Sequence, residues 1–190
     1  MKIQIIGGSG TGKTTLGEYI GEREGVRWID TDRYIWKGDG FIESYAVEER
    51  LAMYRRDMES SEGYVASGSV YAWCKEGFND RELLVFLFLD EDLRLQRLRA
   101  REAERNSPFS LNEKGEMTNE FLEWCQTYLK AEDKEMVGTY AEHAHQMAIA
   151  KSPVLKLDSS WPIEELHARI MAAYKLSAKK RGGRRDQDEA

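Results

Sequence analysis

The chain has 190 residues, 41% of them hydrophobic, which is enough for one well-buried core and too few for two. Its formal net charge of −6 argues against general affinity for nucleic acid, which needs a clustered basic surface to displace counterions from phosphates. Cys74 and Cys125 lie far apart, in neither a Cys-x-x-Cys pair nor a metal-ligand spacing; this excludes a disulfide framework or structural zinc and fits a reducing cytoplasm.

Lys2-Ile3-Gln4-Ile5-Ile6 is a β-branched run stopped by Gly7-Gly8, and Lys13 to Glu24 then carries Leu16, Tyr19 and Ile20 at helical spacing. A second strand, Val26 to Ile29, ends at Asp30-Thr31-Asp32. Ser44 to Ser60 follows as an amphipathic helix with Val47, Leu51, Tyr54 and Met58 along one stripe. Tyr64-Val65-Ala66 is a third strand, closed by Ser67-Gly68-Ser69. Leu83 to Leu89 is apolar throughout, as a parallel strand covered on both faces must be. It is much shorter than the roughly 20 residues that cross a bilayer, and Met1 to Ile6 leads straight into glycines, so no membrane span or signal peptide is expected. Asp90 to Arg105 reads as a helix, the polar stretch Asn106 to Thr118 contains Pro108 and Gly115, and Asn119 to about Lys151 is helical with an interruption at Gly138. Pro153 to Leu157 is the last strand and Ile163 to Leu176 the last helix. Strands alternating with helices in this order describe an α/β domain, a doubly wound parallel sheet of about five strands. Residues 177–190 are dense in charge of both signs and read as a frayed tail.

Gly7-Gly8-Ser9-Gly10-Thr11-Gly12-Lys13-Thr14 matches G-x-x-x-x-G-K-[ST] in full, between a predicted strand and a predicted helix. Consecutive N–H groups turn inward around phosphate oxygens, the helix offers its positive end, and Lys13 brings a charge to the β- and γ-phosphates. Thr14 is the Mg²⁺ ligand of this motif, and Thr15 continues the binding segment into the helix. The loop is longer than the G-x-G-x-x-G of dinucleotide folds, and its glycines are tied to Lys13-Thr14.

From Lys2 to Tyr174 the chain resembles the small P-loop kinases of the adenylate kinase and shikimate kinase type, including their relatives called DNA topology modulation proteins. The resemblance implies a three-layer α/β/α P-loop NTPase fold over residues 1–176. Its parallel sheet has the order 2-3-1-4-5, and a helical lid falls at about residues 102–118. The ligand crevice lies where strand order switches, at the carboxyl ends of the strands, beside Gly7, Asp30 and Ser67.

In a shikimate-kinase-like reading Asp30 lies near Mg²⁺ and Asp32 meets the acceptor hydroxyl, to orient it or take its proton. The alternative is an Asx-type cap of the next segment. Trp28, Tyr34, Trp36 and Phe41 form either a platform for a ring-bearing acceptor or a satellite core. Ser67-Gly68-Ser69 stands where adenylate kinases carry Asp-Gly, so Ser67 replaces a carboxylate that helps organise Mg²⁺; Gly68 permits close approach of an acceptor or simply makes a turn. Arg97 and Arg101 repeat the R-x-x-x-R spacing that opens the lid of these kinases, one arginine over adenine and the next at the phosphates. With Arg94 and Arg105 they make one cationic stripe, unless Glu91, Glu102 and Glu104 reduce it to surface pairing. The segment from Asn106 lacks the paired cysteines of zinc-bearing lids. Trp161, after the last strand, packs near the base or staples the last helix. His143, His145 and His167 are expected on solvated helix faces, and Phe121, Trp124, Tyr128 and Leu129 in the core.

Together these features imply a cytoplasmic kinase, monomeric or homodimeric, that binds ATP and Mg²⁺ and moves the γ-phosphoryl group to a small-molecule hydroxyl or phosphate. Lys13, Asp32, Arg97 and Arg101 are its catalytic candidates. Residues Gly7 to Thr15 with Arg97 bind the nucleotide, Asp32 and Gly68 the acceptor, and Thr14 and Asp30 the metal. A nucleotide-dependent regulator, a plain NTPase and a nucleic-acid kinase are the competing classes.

Overall fold

Six consecutive apolar residues place strand β4 (Leu83–Phe88) at the middle of the molecule, buried from Leu83 to Leu87. Hydrogen bonding to it on either side are β1 (Lys2–Ile6) and β7 (Val154–Asp158); β1 in turn pairs with β3 (Tyr64–Ser67), and β3 with β2 (Arg27–Asp30). Every pairing is parallel, and the sheet order is β2-β3-β1-β4-β7. This is the expected 2-3-1-4-5 order, the fifth sheet strand being numbered seventh because a small hairpin, β5 (Ser110–Leu111) with β6 (Met117–Thr118), precedes it. The structure is a computed structural model, and it describes residues 1–38, 43–105 and 107–188, with side chains to residue 179. Phe41 and Asn106 lie outside the described residues.

Alternation along the strands divides the core between two faces. Ile3, Ile5, Val65, Val85, Leu87 and Leu157 point to one face, where they meet Leu16 and Ile20 of α1 (Lys13–Glu24) and Leu166 and Ile170 of α7 (Ile163–Asp188). Each of these aliphatic side chains contributes about 1.5–3 kcal/mol through burial. On the opposite face Tyr64 and Ala66 pack with Val70, Phe78, and Met53, Tyr54 and Met58 of α3 (Val47–Glu59). Ile6, Leu84 and Phe86 pack there against Met147 of α6 (Tyr140–Ile149). Three layers result, as the pattern predicted.

Several elements differ from the sequence expectation for local reasons. Val47 is exposed, and the residue that α3 buries is Asp57, which accepts from Arg27 Nη2 at 2.6 Å and from Tyr34 Oη at 2.8 Å. Tyr34 belongs to a one-turn helix, α2 (Asp32–Ile35). The lid expected to be helical is instead the β5–β6 hairpin, which follows α4 (Glu91–Glu104). Its turn is fixed by Asn112, whose Oδ1 accepts from Lys114 N and Glu116 N, both at 2.9 Å. The long helical region from Asn119 breaks into α5 (Glu120–Gln126) and α6, each capped by its own N-cap side chain, Asn119 for the first and Thr139 for the second. Helix α7 continues past Leu176 to Asp188. Among the described residues no helix is long and apolar enough to cross a membrane.

Candidate functional site

The phosphate loop leaves β1 at Ile6 and enters α1 at Lys13. Gly12, the N-cap, offers no side chain to the first turn, and that turn carries no acidic residue, so its N–H groups stay available to an anion. Inside the loop the Gly8 carbonyl accepts from Thr11 Oγ1 at 2.9 Å and from Lys13 Nζ at 3.0 Å. Thr11 thereby closes the loop on itself, and Lys13 is folded back on it. Thr14 and Thr15 are exposed on the first turn.

Lys13 is the electrostatic centre of the site. Burial pushes its pKa down; the Asp32 and Asp30 carboxylates act in the opposite sense, Asp32 the more strongly, while Arg101 and Arg94 reinforce the depression. Two carboxylates from the end of β2, an arginine from α4 and the loop lysine therefore share one field. The Asp30 carboxyl is pushed up, first by burial and then by the charge of Asp32, against the Asp32 N–H and Lys13, which favour its ionised form. Asp30 Oδ1 accepts that N–H at 3.1 Å, which is the Asx turn the sequence offered as an alternative; capping and a place in the site coexist. Asp32 itself is exposed.

Mg²⁺ suits this donor set. It prefers oxygen, keeps several waters and takes few protein ligands, and the Thr14 hydroxyl and the Asp30 carboxylate are the oxygen groups that could hold it here. A divalent cation relieves the repulsion that raises the Asp30 pKa. Among the described residues no group of three or more His, Cys, Asp or Glu is placed to form an all-protein metal cage.

The arginine stripe divides by burial. Arg97 is exposed on α4. Arg101 lies over the Phe121 ring at 5.3 Å, and its Nε is buried with no hydrogen-bond partner among the described residues, 3.8 Å from the Glu102 carboxylate. Its pKa is pushed down by burial, then by Arg105, with Glu102, Cys125 and Asp32 opposing. Arg94 is 1% exposed and held by four hydrogen bonds, to Glu91, Ser9 O and Cys125 O. It is a strut, as the structural reading of the stripe required. Arg105 pairs with Glu102 at 3.7 Å.

The acceptor-side candidates at the end of β3 are engaged internally. Ser67 is buried, donates to Lys13 O at 2.8 Å and accepts from Trp28 Nε1 at 3.1 Å, so it fastens β3 to the start of α1. Gly68 has φ +112°, and a Cβ built on it falls 2.0 Å from Thr31 Oγ1. The close neighbour that demands glycine here is thus the chain's own Thr31. Ser69 donates to Glu142 Oε1 at 3.0 Å and accepts from Gln146 Nε2 at 3.0 Å, while Tyr71 Oη meets His145 Nε2 at 2.9 Å, so the loop after β3 is docked on α6.

Two further expectations need correction. His143 is 3% exposed rather than solvated, because α6 turns it under Phe86 and against Tyr128, whose Oη lies 3.1 Å from His143 Nδ1. Of the four residues assigned to the core around α5, Tyr128 is buried and Phe121 packs on Leu98, Leu122 and Cys125, but Trp124 and Leu129 are exposed. Of the aromatics set between an acceptor platform and a satellite core, Tyr34 takes the core place. Trp28 reaches Ser67, and Tyr34 joins Tyr54 and Trp73 edge to face in the core. Trp161 is partly exposed beneath Arg169, whose guanidinium lies 4.2 Å from the ring centroid. Sequence reasoning gave no site role to Tyr128. Its ring lies 3.0 Å from where a Gly8 Cβ would be, and the only signal was an aromatic at helical spacing.

No family model matches this chain. It is 34% identical over 171 residues to the uncharacterized protein YqaC of Bacillus subtilis (strain 168), covering 89% of this chain and 94% of that protein. In fold it is similar to a gluconokinase from Sinorhizobium meliloti 1021, with a TM-score of 0.58 at 18% identity over 96% of both chains. A shikimate kinase from Bacteroides thetaiotaomicron matches with a TM-score of 0.57 at 18% identity, over 92% of this chain and 98% of that one. A deoxyadenosine kinase from M. mycoides matches at 0.52 and 14%, over 94% and 100%.

Proposed function

Since this chain belongs to one family with YqaC of Bacillus subtilis and has the fold of the small P-loop kinases, we propose that it is a phosphotransferase using Mg·ATP. It moves the γ-phosphoryl group to a hydroxyl or phosphate of a small molecule. The observation that carries this reading is the shared field at Lys13, where a complete phosphate loop, the Asp30 and Asp32 carboxylates at the β2–α2 junction and an arginine from α4 act on one ammonium group. A site that only holds a nucleotide needs the loop and its lysine. An exposed carboxylate in the field of that lysine is what an acceptor needs in addition.

In this mechanism the N–H groups from Gly7 to Thr15 bind the phosphates, and Lys13 exchanges the Gly8 carbonyl for a phosphate oxygen. Thr14 and Asp30 would hold Mg²⁺, which would supply charge neutralisation on the phosphates. Asp32 orients the acceptor hydroxyl or takes its proton. Arg101 turns its unpartnered Nε–H and its charge toward the group in transfer, and Arg97 meets the nucleotide from the same helix face.

The experiment is an ADP-release screen with nucleosides, nucleoside monophosphates, shikimate, gluconate, other sugars and aminoglycosides as acceptors, beside an acceptor-free control. An acceptor-dependent rate that Asp32→Asn lowers about 10²–10⁴-fold, at near-normal Mg·ATP affinity, is the expected result. Asp30→Asn should instead demand more Mg²⁺ and recover partly with excess metal. ADP release that no acceptor stimulates and Asp32→Asn leaves unchanged would replace the kinase with an NTPase or a nucleotide-dependent regulator.

A further inference from the structure

The outer wall of the phosphate loop is built from side chains that no phosphate-binding pattern specifies. Tyr128 lies against Gly8, and Leu98 lies 2.9 Å from where a Gly10 Cβ would be. Between them Arg94 Nη1 donates to the Ser9 carbonyl at 2.8 Å. The rest of the guanidinium is fixed from three directions. Nε and Nη2 grip Glu91 at 2.8 and 2.7 Å, Nη2 also donates to Cys125 O at 2.7 Å, and the group lies 4.8 Å over the Tyr128 ring. An arginine 1% exposed and held so firmly has one preferred position for the carbonyl it binds.

A trans peptide unit is planar, with its C=O and N–H pointing in opposite directions. Holding the Ser9 carbonyl outward therefore turns the Gly10 N–H inward, and Gly10 keeps that orientation at φ +87°, where Leu98 leaves no room for a side chain. We propose that Arg94 is a positioning residue for nucleotide binding: by fixing the Ser9–Gly10 peptide it presents the Gly10 N–H to the phosphate chain before the ligand arrives. The inference rests on the nucleotide reading above and assigns the loop's preorganisation to a residue that never touches the ligand. In free peptides such a peptide unit flips readily, and ordering it on binding lowers affinity.

The test compares Arg94→Met, which keeps much of the side-chain volume without its donors, with Arg94→Lys, which retains a single charged donor. Kd for Mg·ADP is measured by calorimetry per folded molecule, and amide shifts are recorded in ¹⁵N-labelled wild type. Arg94→Met should weaken Mg·ADP about tenfold to a hundredfold, the worth of one charged hydrogen bond at the cradle, and Arg94→Lys should restore part of it. In the wild type the Gly10 amide should shift among the most strongly of all on saturation with Mg·ADP. Unchanged affinity in folded Arg94→Met, however low its melting temperature, makes Arg94 merely structural and overturns the proposal. Should Arg94→Met not fold, a Gly10 amide unmoved by saturating Mg·ADP overturns it equally. A wild type that does not bind Mg·ADP at all overturns the nucleotide reading, and this inference with it.

Discussion

Acid should weaken this fold through His143. Burial, with a smaller contribution from the Lys13 charge, holds its pKa down to about 3 against 6.5 for a free imidazole. Below about pH 6.5 the unfolded chain takes up a proton that the folded chain refuses, so stability is complete above that pH and is lost progressively toward about pH 3. At about pH 5 the loss is roughly 2 kcal/mol, one and a half pKa units at 1.36 kcal/mol each, and for a chain of this size it lowers the melting temperature by about 4–8 °C. Asp30 and Glu142, whose carboxyls are pushed up by burial, titrate in the opposite sense and must be subtracted. His143→Gln does this, because the amide can pair with Tyr128 Oη as donor or acceptor but takes up no proton in this range. Urea unfolding followed by tryptophan fluorescence at about pH 8 and about pH 5, for both proteins, should show the roughly 2 kcal/mol extra loss only with histidine present. An identical pH dependence in the two proteins would refute the assignment of that proton to His143.

Lys13→Ala should abolish most Mg·ATP binding in a titration while thermal unfolding stays near that of the wild type, since among the described residues the bond its ammonium makes is to its own loop at Gly8 O. Arg101→Ala should slow acceptor-dependent ADP release at least tenfold without lowering the melting temperature, because a buried, unpartnered Nε–H is a cost to the fold. Arg97→Ala should raise the KM for ATP with the melting temperature likewise unchanged, as the side chain is exposed. Gly68→Ala should unfold at a clearly lower urea concentration than the wild type, by about 2 kcal/mol or more, for it strains a positive φ and drives Cβ into Thr31. Recovery of stability in Gly68→Ala when Thr31 is also changed to Ala would confirm that Thr31 is the clashing group.

What the sequence reveals here is what depends on neighbours in the chain. Eight consecutive residues make the phosphate loop, and their meaning is local; the same holds for Leu83 to Leu87, whose unbroken apolarity can be satisfied only in the middle of a covered parallel sheet. The strand order came with the family resemblance and stands in the structure. Roles that depend on distant partners were not legible. Ser67 meets Lys13 across 54 positions and Arg94 meets Ser9 across 85, and neither side chain announces such a partner by its type. Arg94 had one faint signal, a place on the same α4 face as Arg101 and one helical turn from both Glu91 and Leu98, which is where a residue facing the loop must sit. The hairpin at 110–118 was not legible because its two-residue strands carry no alternating pattern; the signs of it were Asn112, which fixes the turn, and Gly115 at φ +73° within it.

The same distant contacts narrow what can meet an acceptor. Ser67 holds α1, Thr31 fills the space above Gly68, and Ser69 and Tyr71 are bonded to α6, so the loop after β3 shapes the crevice more than it offers free polar groups to it. Of the groups that share the Lys13 field, Arg94 is bound to the loop's outer side and Asp30 is bound to the Asp32 N–H. Asp32 is exposed, and Arg101 keeps an unpartnered Nε–H. On the proposed reading, an acceptor between the Asp32 carboxylate and the Arg101 guanidinium would donate to one and bear developing negative charge toward the other, which is the situation of a hydroxyl attacking a phosphoryl group. That is why Asp32→Asn and Arg101→Ala should both act on the acceptor-dependent rate, whereas changes at Ser67 and Gly68 should act first on the fold.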